Sequence, residues 1–333
     1  MIETVKNKPI FKVLENSEML NTFKKDVENG LNASPKTLPS KYFYNKVGDA
    51  LFVEIMNLPE YYLTRSELDI FQNKTEDIIK ELALNKDSYF ELIELGAGDG
   101  LKTKKLLSAL DAQNFDFDYL PIDISKNALH LLEEDLNKVL PNVSVKTQQG
   151  DYFEVLLNLK ASANPKIILF LGSNIGNMND AMAAHFIYNL GANLKAGDKL
   201  LLGVDLIKSK DIVLPAYNDS KGITAKFNLN LLERINEELG GDFNLDNFKH
   251  QPEYNETDGV AESFIVSKKN QTVEIKVLDA KFQFKAGEKI NTEISRKYND
   301  LLIEEIISNT DFILETKIMD SKNYFADYIL SRH

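Results

Sequence analysis

Three glycines at alternate positions, Gly96, Gly98 and Gly100, follow the short apolar run Tyr89–Leu95 and precede residues at helical spacing. This pattern predicts a strand, a tight turn and a helix. Because glycine has no side chain, a ligand can lie against the bare backbone of such a turn. The helix that begins near Leu101 also offers unpaired N–H groups and the positive end of its dipole. The turn is therefore suited to a polar, nucleotide-like ligand.

Two ligands compete for this turn. A dinucleotide site has the pattern G-x-G-x-x-G, but here the third glycine comes one residue early and Leu101 stands where glycine is expected. Glu94 stands two residues before the first glycine, and Glu-x-Gly-x-Gly-x-Gly resembles the first motif of the class I S-adenosylmethionine-dependent methyltransferases. That cofactor has a cationic amino acid end and no pyrophosphate, so a carboxylate is compatible with it. The motif favours S-adenosylmethionine, and a glycine turn that binds nothing is the alternative.

Composition excludes several classes of function. The chain has 333 residues, 43% hydrophobic and 27% charged, which indicates a globular protein with one large domain or two ordinary ones. The absence of cysteine excludes disulfides, thiolate metal sites and a cysteine nucleophile. A net charge of −12 without a cluster of lysines or arginines argues against a nucleic-acid partner. The four histidines have no metal-ligand spacing, so we expect no metal site.

The sequence also carries predictions about location and assembly. The first residues lack the apolar core and cleavage site of a signal peptide, and no apolar run approaches the length needed to span a membrane. We therefore expect a cytoplasmic protein that does not associate with membranes. No apolar seam suggests self-association, which favours a monomer.

Predicted strands and helices alternate after the glycine turn. The second strand ends at Asp123, whose carboxylate could bind both hydroxyls of a ribose or, with Ser125, cap a helix. The third strand ends near Asp151 and Tyr152. The alternation predicts a doubly wound parallel sheet that an antiparallel pair of strands completes. The remaining elements are predicted at Lys166–Leu171, 179–193, Lys199–Asp205, Asn299–Ser308, Phe312–Met319 and Tyr324–Ser331.

Residues 208–298 interrupt this alternation. Hairpins inside a parallel α/β chain usually form a separate lobe. We therefore expect a Rossmann-like α/β domain at 60–207 and 299–333, with an inserted α+β substrate-binding lobe at 1–59 and 208–298. Outside the sheet we predict helices at 17–31, 66–84 and 224–239, a loop after the last of these, and strands at 261–267, 272–278 and 281–284, with a hairpin turn at Lys268–Gln271.

Five segments together are similar to one family over nearly the whole chain. The glycine motif is general to methyltransferases, whereas the other four segments are specific. The chain resembles the histidine N-alpha-methyltransferases of ergothioneine biosynthesis, which methylate the alpha-amine of histidine three times. The five segments are Lys41–Arg65, Glu94–Gly100, Gly172–Asn177, Ala216–Asn228 and Asn291–Tyr298.

The resemblance implies a role for particular residues. Contacts to S-adenosylmethionine are implied for Gly96, Gly98, Lys102, Asp123, Asp151 and Tyr152. Binding of the substrate's amino and carboxylate groups is implied for Tyr61, Asn177 and Tyr217. Recognition of the imidazole is implied for Glu293 and Ser295, with Tyr44 nearby as a candidate proton relay.

Ser263 is a departure from the family. One family member carries a methionine at this position, so the smaller serine would enlarge the side-chain pocket and leave the identity of the substrate open. The same chemistry on a different, larger aromatic amino acid is therefore one alternative, and a non-catalytic S-adenosylmethionine-binding protein is another. The tyrosines Tyr42, Tyr44, Tyr61 and Tyr62 also have two interpretations, as core residues or as a roof over a small substrate.

Overall fold

The computed structural model describes residues 10–150 and 162–333, with side chains from Met19 onwards. Asp151 and Tyr152 lie outside the described residues. The helices are α1 (Ile10–Asn32), α2 (Lys46–Met56), α3 (Leu63–Asn73), α4 (Thr75–Glu81), α5 (Thr103–Ala112), α6 (Lys126–Val139), α7 (Asp180–Ala192), α8 (Lys210–Tyr217), α9 (Ile223–Leu239) and α10 (Asp300–Ile307). Among the described residues, no helix has the length and apolar character needed to cross a membrane.

The strands follow the same chain order. They are β1 (Lys36–Thr37), β2 (Phe90–Leu95), β3 (Phe117–Asp123), β4 (Ser144–Val145), β5 (Gln148–Gln149), β6 (Lys166–Phe170), β7 (Lys199–Asp205), β8 (Phe248–Asn255), β9 (Val260–Ser267), β10 (Gln271–Ile275), β11 (Ala280–Phe284), β12 (Lys289–Arg296), β13 (Phe312–Met319) and β14 (Phe325–Arg332).

The described chain forms two compact units, and it passes from one to the other five times. The first unit contains the residues up to Tyr61 together with Lys210–Tyr254 and Ala261–Ile294. The second unit contains Tyr62–Ser209, Asn255–Val260 and Ser295–His333.

The second unit is built on one large sheet in the order β13-β14-β7-β6-β2-β3-β4, with β5 also paired to β3. Strands β2, β3, β4, β5, β6 and β7 pair in parallel, and β14 is antiparallel to β7 and β13. This arrangement confirms the prediction of a Rossmann-like sheet. The strand order reverses between β2 and β6, and ligands of such sheets bind at the carboxyl ends of the strands beside that reversal.

Helices cover both faces of this sheet because its strands alternate their apolar side chains between two cores. Ile93 and Ile168 face a core shared with α7 and α10, whereas Leu92 and Ile167 face a core shared with α3, α4, α5 and α6. Burial of apolar side chains on both faces is typical of parallel sheets and fixes the position of each strand end.

The first unit has a four-stranded sheet in the order β1-β12-β9-β8 and a separate pair, β10 with β11. Its core is formed mainly by α1, α2, α9 and these strands, with Phe43, Phe227 and Phe248 fully or almost fully buried. Asn45 caps α2 by accepting a hydrogen bond from the Gly48 amide at 2.8 Å. Asn45, a residue of the Lys41–Arg65 segment, therefore has a structural role as a helix cap.

Three local predictions are wrong. The helix at 66–84 is two helices, because Lys74 leaves the helical conformation (φ −132°, ψ 18°) and its Nζ donates to the Met319 carbonyl at 2.8 Å. The predicted loop after α9 contains β8, an edge strand that can accommodate Pro252. The turn at Lys268–Gln271 does not form a hairpin, since β9 lies between β12 and β8 while β10 pairs with β11.

Candidate functional site

The glycine turn after β2 has the backbone that its sequence predicts. Gly96, Gly98 and Gly100 have φ values of 75°, 55° and 61°, a region that favours glycine. A Cβ atom at Gly98 would meet no atom within 4 Å, so this stretch of backbone is open to a ligand. At Gly100 a Cβ atom would lie 2.5 Å from Leu132 Cδ1, so this glycine lets α6 pack against the turn.

Asp123, at the end of β3, holds the turn in place. Its Oδ2 accepts a hydrogen bond from the Gly98 amide at 3.1 Å, and its Oδ1 accepts one from the Ser125 amide at 2.8 Å. The Ser125 hydroxyl in turn accepts from the Ala128 amide at 3.2 Å and caps α6. The helix-cap interpretation is therefore correct for Ser125. A carboxylate has further acceptor positions, so ribose binding by Asp123 stays a prediction.

Glu94 is buried beneath the turn. Its carboxylate accepts hydrogen bonds from the Thr103 hydroxyl at 2.7 Å and from the Tyr119 hydroxyl. Burial raises the pKa of Glu94 to about 7, although these two hydrogen bonds act in the opposite direction. Both oxygens are thus engaged by hydroxyls of β3 and α5. The acidic residue of the motif therefore links elements of the fold.

Lys102, at the start of α5, is oriented by a residue that sequence analysis missed. Its ammonium pairs with the Glu67 carboxylate, and the same carboxylate accepts from the Gly172 amide at 2.8 and 3.0 Å. Burial lowers the pKa of Lys102, but the charge and hydrogen bond of Glu67 raise it above the usual value overall. Glu67 therefore joins the turn after β2 to the loop after β6, at the point where the strand order reverses.

A second buried acid, Asp327, lies beside Glu67. Neither of its carboxyl oxygens has a hydrogen-bond partner among the described residues. Burial, together with the negative charge of Glu67, raises the pKa of Asp327 well above its usual range. Asp327 pairs with Gly203 across β14 and β7, and a Cβ atom at Gly203 would collide with Glu67 Oε1 and approach Asp327 Oδ1 to 2.9 Å. Glycine at this position makes room for the two acids.

Two predicted substrate residues also lie in the second unit. Asn177 is the last residue of a short 3-10 turn, Asn174–Asn177, that follows β6, and its side chain is exposed. Ser295 lies near the end of β12 and is buried, and its hydroxyl accepts a hydrogen bond from Lys297 Nζ at 2.8 Å.

In the first unit, Ser263 contacts Glu293. Ser263 is almost fully buried on β9, and its hydroxyl donates to Glu293 Oε2 at 3.0 Å on the neighbouring β12. Thr292 Oγ1 donates to the Ser263 carbonyl at 2.9 Å. The hydroxyl that departs from the family pattern therefore orients the carboxylate that was predicted to recognise the imidazole.

The tyrosines of the Lys41–Arg65 segment have different roles. The rings of Tyr44 and Tyr61 pack edge-on against Phe52, with centroids 5.5 and 6.3 Å away, and Tyr44 is 44% exposed. Tyr42 is buried and donates to Asp26 Oδ2 at 2.7 Å. The core interpretation holds for Tyr42, whereas the exposed ring of Tyr44 leaves the roof interpretation open for it.

Tyr217 is buried at the end of α8, and His250 fixes its main chain. The His250 ring donates from Nε2 to the Tyr217 carbonyl at 2.9 Å. Burial lowers the pKa of His250. Nε2 carries a proton, because the carbonyl that it contacts can only accept a hydrogen bond. Asp219 accepts from the Ile223 and Thr224 amides at 2.9 and 2.7 Å and caps α9, which explains part of the Ala216–Asn228 motif.

The chain is similar to known proteins over most of its length. It is 38% identical over 275 residues to a histidine N-alpha-methyltransferase of Mycolicibacterium smegmatis. These residues are 83% of this chain and 84% of that protein. The corresponding protein of Mycobacterium tuberculosis is 36% identical with the same coverage. Ergothioneine biosynthesis protein 1 of Schizosaccharomyces pombe is 33% identical over 302 residues, which are 89% of this chain and 39% of that protein.

A family model agrees with these relatives. The model described as "Histidine-specific methyltransferase, SAM-dependent" matches residues 23–332. The predicted family resemblance, the methyltransferase activity and the cofactor S-adenosylmethionine are therefore confirmed. The chain belongs to the family of histidine-specific, S-adenosylmethionine-dependent methyltransferases.

Proposed function

We propose that the chain transfers methyl groups from S-adenosylmethionine to the alpha-amino nitrogen of free L-histidine, up to three times, to give trimethylhistidine (hercynine). Family membership supports the reaction. The observation that carries the choice of substrate is the Glu293 carboxylate, which the buried Ser263 hydroxyl orients at 3.0 Å. Ser295 lies two residues further along β12, so both side chains leave that strand on the same side.

The residues of the glycine turn fit the cofactor. Gly96 and Gly98 would contact it through bare backbone, and the open space at Gly98 supports this assignment. The Lys102 ammonium would bind its carboxylate and Asp123 its ribose hydroxyls, while Asp151 and Tyr152 are proposed for the adenosine. When bound, S-adenosylmethionine supplies a methyl group already activated by a positively charged sulfur.

The substrate residues have complementary tasks in this proposal. Tyr61, Asn177 and Tyr217 would hold the amino and carboxylate groups of histidine. Glu293 would accept a hydrogen bond from an imidazole N–H and Ser295 would contact the other ring nitrogen. A carboxylate built to accept a hydrogen bond strongly rejects amino acids that leave it unpaired.

The chain has to orient the amine and remove its proton. Only the neutral amine can attack, and its unperturbed pKa is about 8 or somewhat above. The Tyr44 hydroxyl is our candidate proton relay, and Tyr44→Phe should lower kcat with little change in the KM for histidine. The quaternary product cannot donate a hydrogen bond, and the aromatic faces of Tyr44 and Tyr61 suit such a cation.

Mass spectrometry of the purified protein with histidine and S-adenosylmethionine tests the reaction. We expect additions of one, two and three methyl groups, and no transfer would contradict the proposal. Glu293→Ala should raise the histidine KM about a hundredfold or more while the cofactor Kd stays within about twofold. Glu274→Ala, which removes an exposed carboxylate from β10 of the same unit, is the control and should change neither constant.

The alternative substrates are outcomes of a competition assay over the twenty amino acids. The hydrogen bond from Ser263 to Glu293 supports histidine, because it gives this serine a role in holding the carboxylate. Preference for a larger aromatic amino acid would replace histidine in the proposal. We further propose that the chain is a cytoplasmic monomer, and that residues 1–59 and 208–298 form its substrate-binding lobe. Sedimentation velocity tests the oligomeric state.

A further inference from the structure

Asp327 is a buried acid whose two carboxyl oxygens have no hydrogen-bond partner among the described residues. It has no exposed surface, and it lies on β14 between Phe325 and Ile329, whose side chains belong to the core that the sheet shares with α3. Because alternate residues of a strand face the same side, Asp327 also points into that core. An ionised carboxylate there would be costly without compensating donors. The carboxyl group therefore calls for a proton, a partner or both.

Glu67, on α3, is the acidic neighbour of Asp327. A Cβ atom at Gly203 on β7 would lie 2.9 Å from Asp327 Oδ1 and would collide with Glu67 Oε1, so both carboxyl groups lie against this glycine. On the other side of Asp327, β13 contributes Ile318, which has no charge. We call Glu67 and Asp327 the acid pair.

The charges around the acid pair balance if it holds one proton. Among the described residues, the charged groups that act on Asp327 are Glu67 and the Lys102 ammonium at the start of α5. Glu94 acts on Lys102 from β2, but two hydroxyls satisfy the Glu94 carboxylate separately. If both members of the pair were ionised, one lysine would face two negative charges in the core. Carboxyl groups that share a site avoid this, because like charges raise the pKa of one of them.

The Glu67 carboxylate can accept a hydrogen bond from a protonated neighbour. Its two oxygens accept from the Gly172 amide at 2.8 and 3.0 Å, and Oε2 also accepts from Lys102. An ionised carboxylate has about four acceptor positions, so one remains for a further donor. A neutral carboxylic acid has one O–H donor. A proton on Asp327 would therefore give this residue the partner that it lacks.

We propose that Glu67 and Asp327 hold one proton between them, and that this proton has to be present for Lys102 to bind the carboxylate of the cofactor tightly. The inference rests on the proposed function, which assigns that carboxylate to Lys102. With the proton, the acid pair and the lysine together have no net charge. Without the proton, a second negative charge lies behind the lysine and repels the incoming carboxylate. Cofactor affinity should therefore fall at alkaline pH, as the acid pair releases its proton to water.

Asp327→Asn tests the proposal, because asparagine keeps the shape and a donor of the neutral acid but has no proton to lose. The ligand is S-adenosylhomocysteine, which has the same carboxylate as the cofactor and no reactive methyl group. By calorimetry near pH 7, we expect its Kd in the variant to stay within about twofold of that in the unaltered protein. A tenfold weaker affinity in the variant would overturn the proposal, because the negative charge of Asp327 would then be needed.

The pH dependence separates the two proteins. Between about pH 7 and 9.5 we expect the Kd to rise about fivefold more in the unaltered protein than in Asp327→Asn. The ammonium group of the ligand also titrates in this range, but it does so equally with both proteins. Asp77→Asn, which removes an exposed carboxylate from α4, is the matched control and should follow the unaltered protein throughout. The same pH dependence in all three proteins would overturn the link to cofactor binding.

Infrared spectroscopy covers the case in which Asp327→Asn does not fold. A protonated carboxyl group has a carbonyl stretching band that is separate from the bands of carboxylates. Glu94→Gln removes the other buried acid with a raised pKa, so a band that persists in this variant at about pH 8, where ordinary acids are ionised, belongs to the acid pair. Its presence, and its loss in step with ligand affinity as the pH rises, support the proposal. Absence of the band overturns it.

Lys102→Met distinguishes this inference from the proposed function. The variant should weaken binding of S-adenosylhomocysteine about tenfold if the ligand's carboxylate binds the lysine. An unchanged Kd would refute that assignment and with it the link between the proton and the cofactor, whereas the infrared band reports the acid pair without any ligand. Failure to methylate histidine would refute the proposed function and would leave both of these measurements unaffected.

Discussion

Glu67 joins two parts of the second unit that are far apart in sequence. Its carboxylate binds the Lys102 ammonium at the start of α5 and the Gly172 amide after β6. A carboxylate that is 1% exposed would be costly without such partners, and here a charged donor and a backbone donor satisfy it. This single residue therefore sets the position of a lysine that we assign to the cofactor.

Glu67→Gln tests this role. Glutamine can still accept from the Gly172 amide but no longer neutralises Lys102, so the lysine should lose its fixed position. We expect the Kd for S-adenosylmethionine to rise about tenfold, equivalent to about 1.4 kcal/mol, in isothermal titration calorimetry. Glu76→Gln, an exposed site on α4, is the control and should leave the Kd unchanged. Equal affinities in all three proteins would show that Glu67 does not position Lys102.

Glu94 makes stability depend on pH. Burial raises its pKa to about 7, whereas a glutamate in an unfolded chain has a pKa of about 4.3. Between these values the folded state holds a proton that the unfolded state has lost, so this group's contribution to stability falls as the pH rises from about 4.3 to 7.

Glu94→Gln removes this titration while leaving groups that can hydrogen-bond to Thr103 and Tyr119. The unfolding free energy of the variant, measured in urea at several pH values between about 4.5 and 8, should therefore decline less, or rise more, with pH than that of the unaltered protein. Parallel curves for the two proteins would mean that Glu94 keeps an ordinary pKa.

At the scale of elements, the glycine turn allows a matched pair of substitutions. The added methyl group of Gly98→Ala meets no neighbouring atom. The variant should therefore lose only the free energy of holding alanine at a positive φ, about 1 kcal/mol of unfolding free energy. Gly100→Ala has the same backbone strain, and its added methyl group also collides with Leu132. We therefore expect its unfolding free energy to fall by about 2 kcal/mol or more. Thermal unfolding compares the two.

Cofactor binding should follow the opposite order. If the ligand lies against the backbone at Gly98, a methyl group there occupies its space, and Gly98→Ala should weaken binding of S-adenosylmethionine more than Gly100→Ala does. A larger loss of affinity in Gly100→Ala than in Gly98→Ala would place the ligand elsewhere. Calorimetry on both variants, below their unfolding temperatures, decides between these outcomes.

Sequence patterns predicted those elements that are encoded by a few neighbouring residues. Lys199–Asp205 and Phe312–Met319 are strands with the predicted ends, because apolar runs or alternation mark them clearly. The break between α3 and α4 was not predictable, since Lys74 contacts a carbonyl 245 residues away. Likewise β14 was predicted to within a residue, but nothing in its sequence indicates that Asp327 faces Glu67 without a hydrogen-bond partner among the described residues.

In the candidate site, too, some features could be predicted from neighbouring residues and others could not. The glycine turn and Asp123 follow from spacing, because the turn and the strand end are each encoded in a few residues. The pairs Glu67–Lys102 and Ser263–Glu293 join residues 35 and 30 positions apart, so only the folded chain brings them together. The resemblance indicated Glu293 and Ser295, but not the hydrogen bonds that Ser263 and Lys297 donate to them.

At the scale of the whole molecule, the net charge of −12 should affect cofactor binding. S-adenosylmethionine has a net charge of about +1 from its sulfonium, ammonium and carboxylate groups, whereas S-adenosylhomocysteine is a neutral zwitterion of nearly the same shape. Salt screens long-range attraction, with a Debye length of about 10 Å at 0.1 M. We expect the Kd of the charged ligand to rise about threefold between about 20 and 500 mM salt.

S-adenosylhomocysteine is the control ligand in this titration. Its Kd should change less than about 1.5-fold over the same range, because it has no net charge for the field of the protein to attract. An identical salt response of the two ligands would assign the effect to local contacts of the carboxylate and ammonium groups, which both ligands share.

The repeated passage of the chain between its two units affects how hybrid enzymes can be made and how new substrate preferences can evolve. Neither unit corresponds to one uninterrupted stretch of gene, because the first unit needs the residues up to Tyr61, Lys210–Tyr254 and Ala261–Ile294. A hybrid enzyme that borrows this unit from a relative would need three grafts with matching junctions. New substrate preferences in this lineage should therefore arise more readily from point substitutions, such as that at Ser263, than from recombination of intact modules.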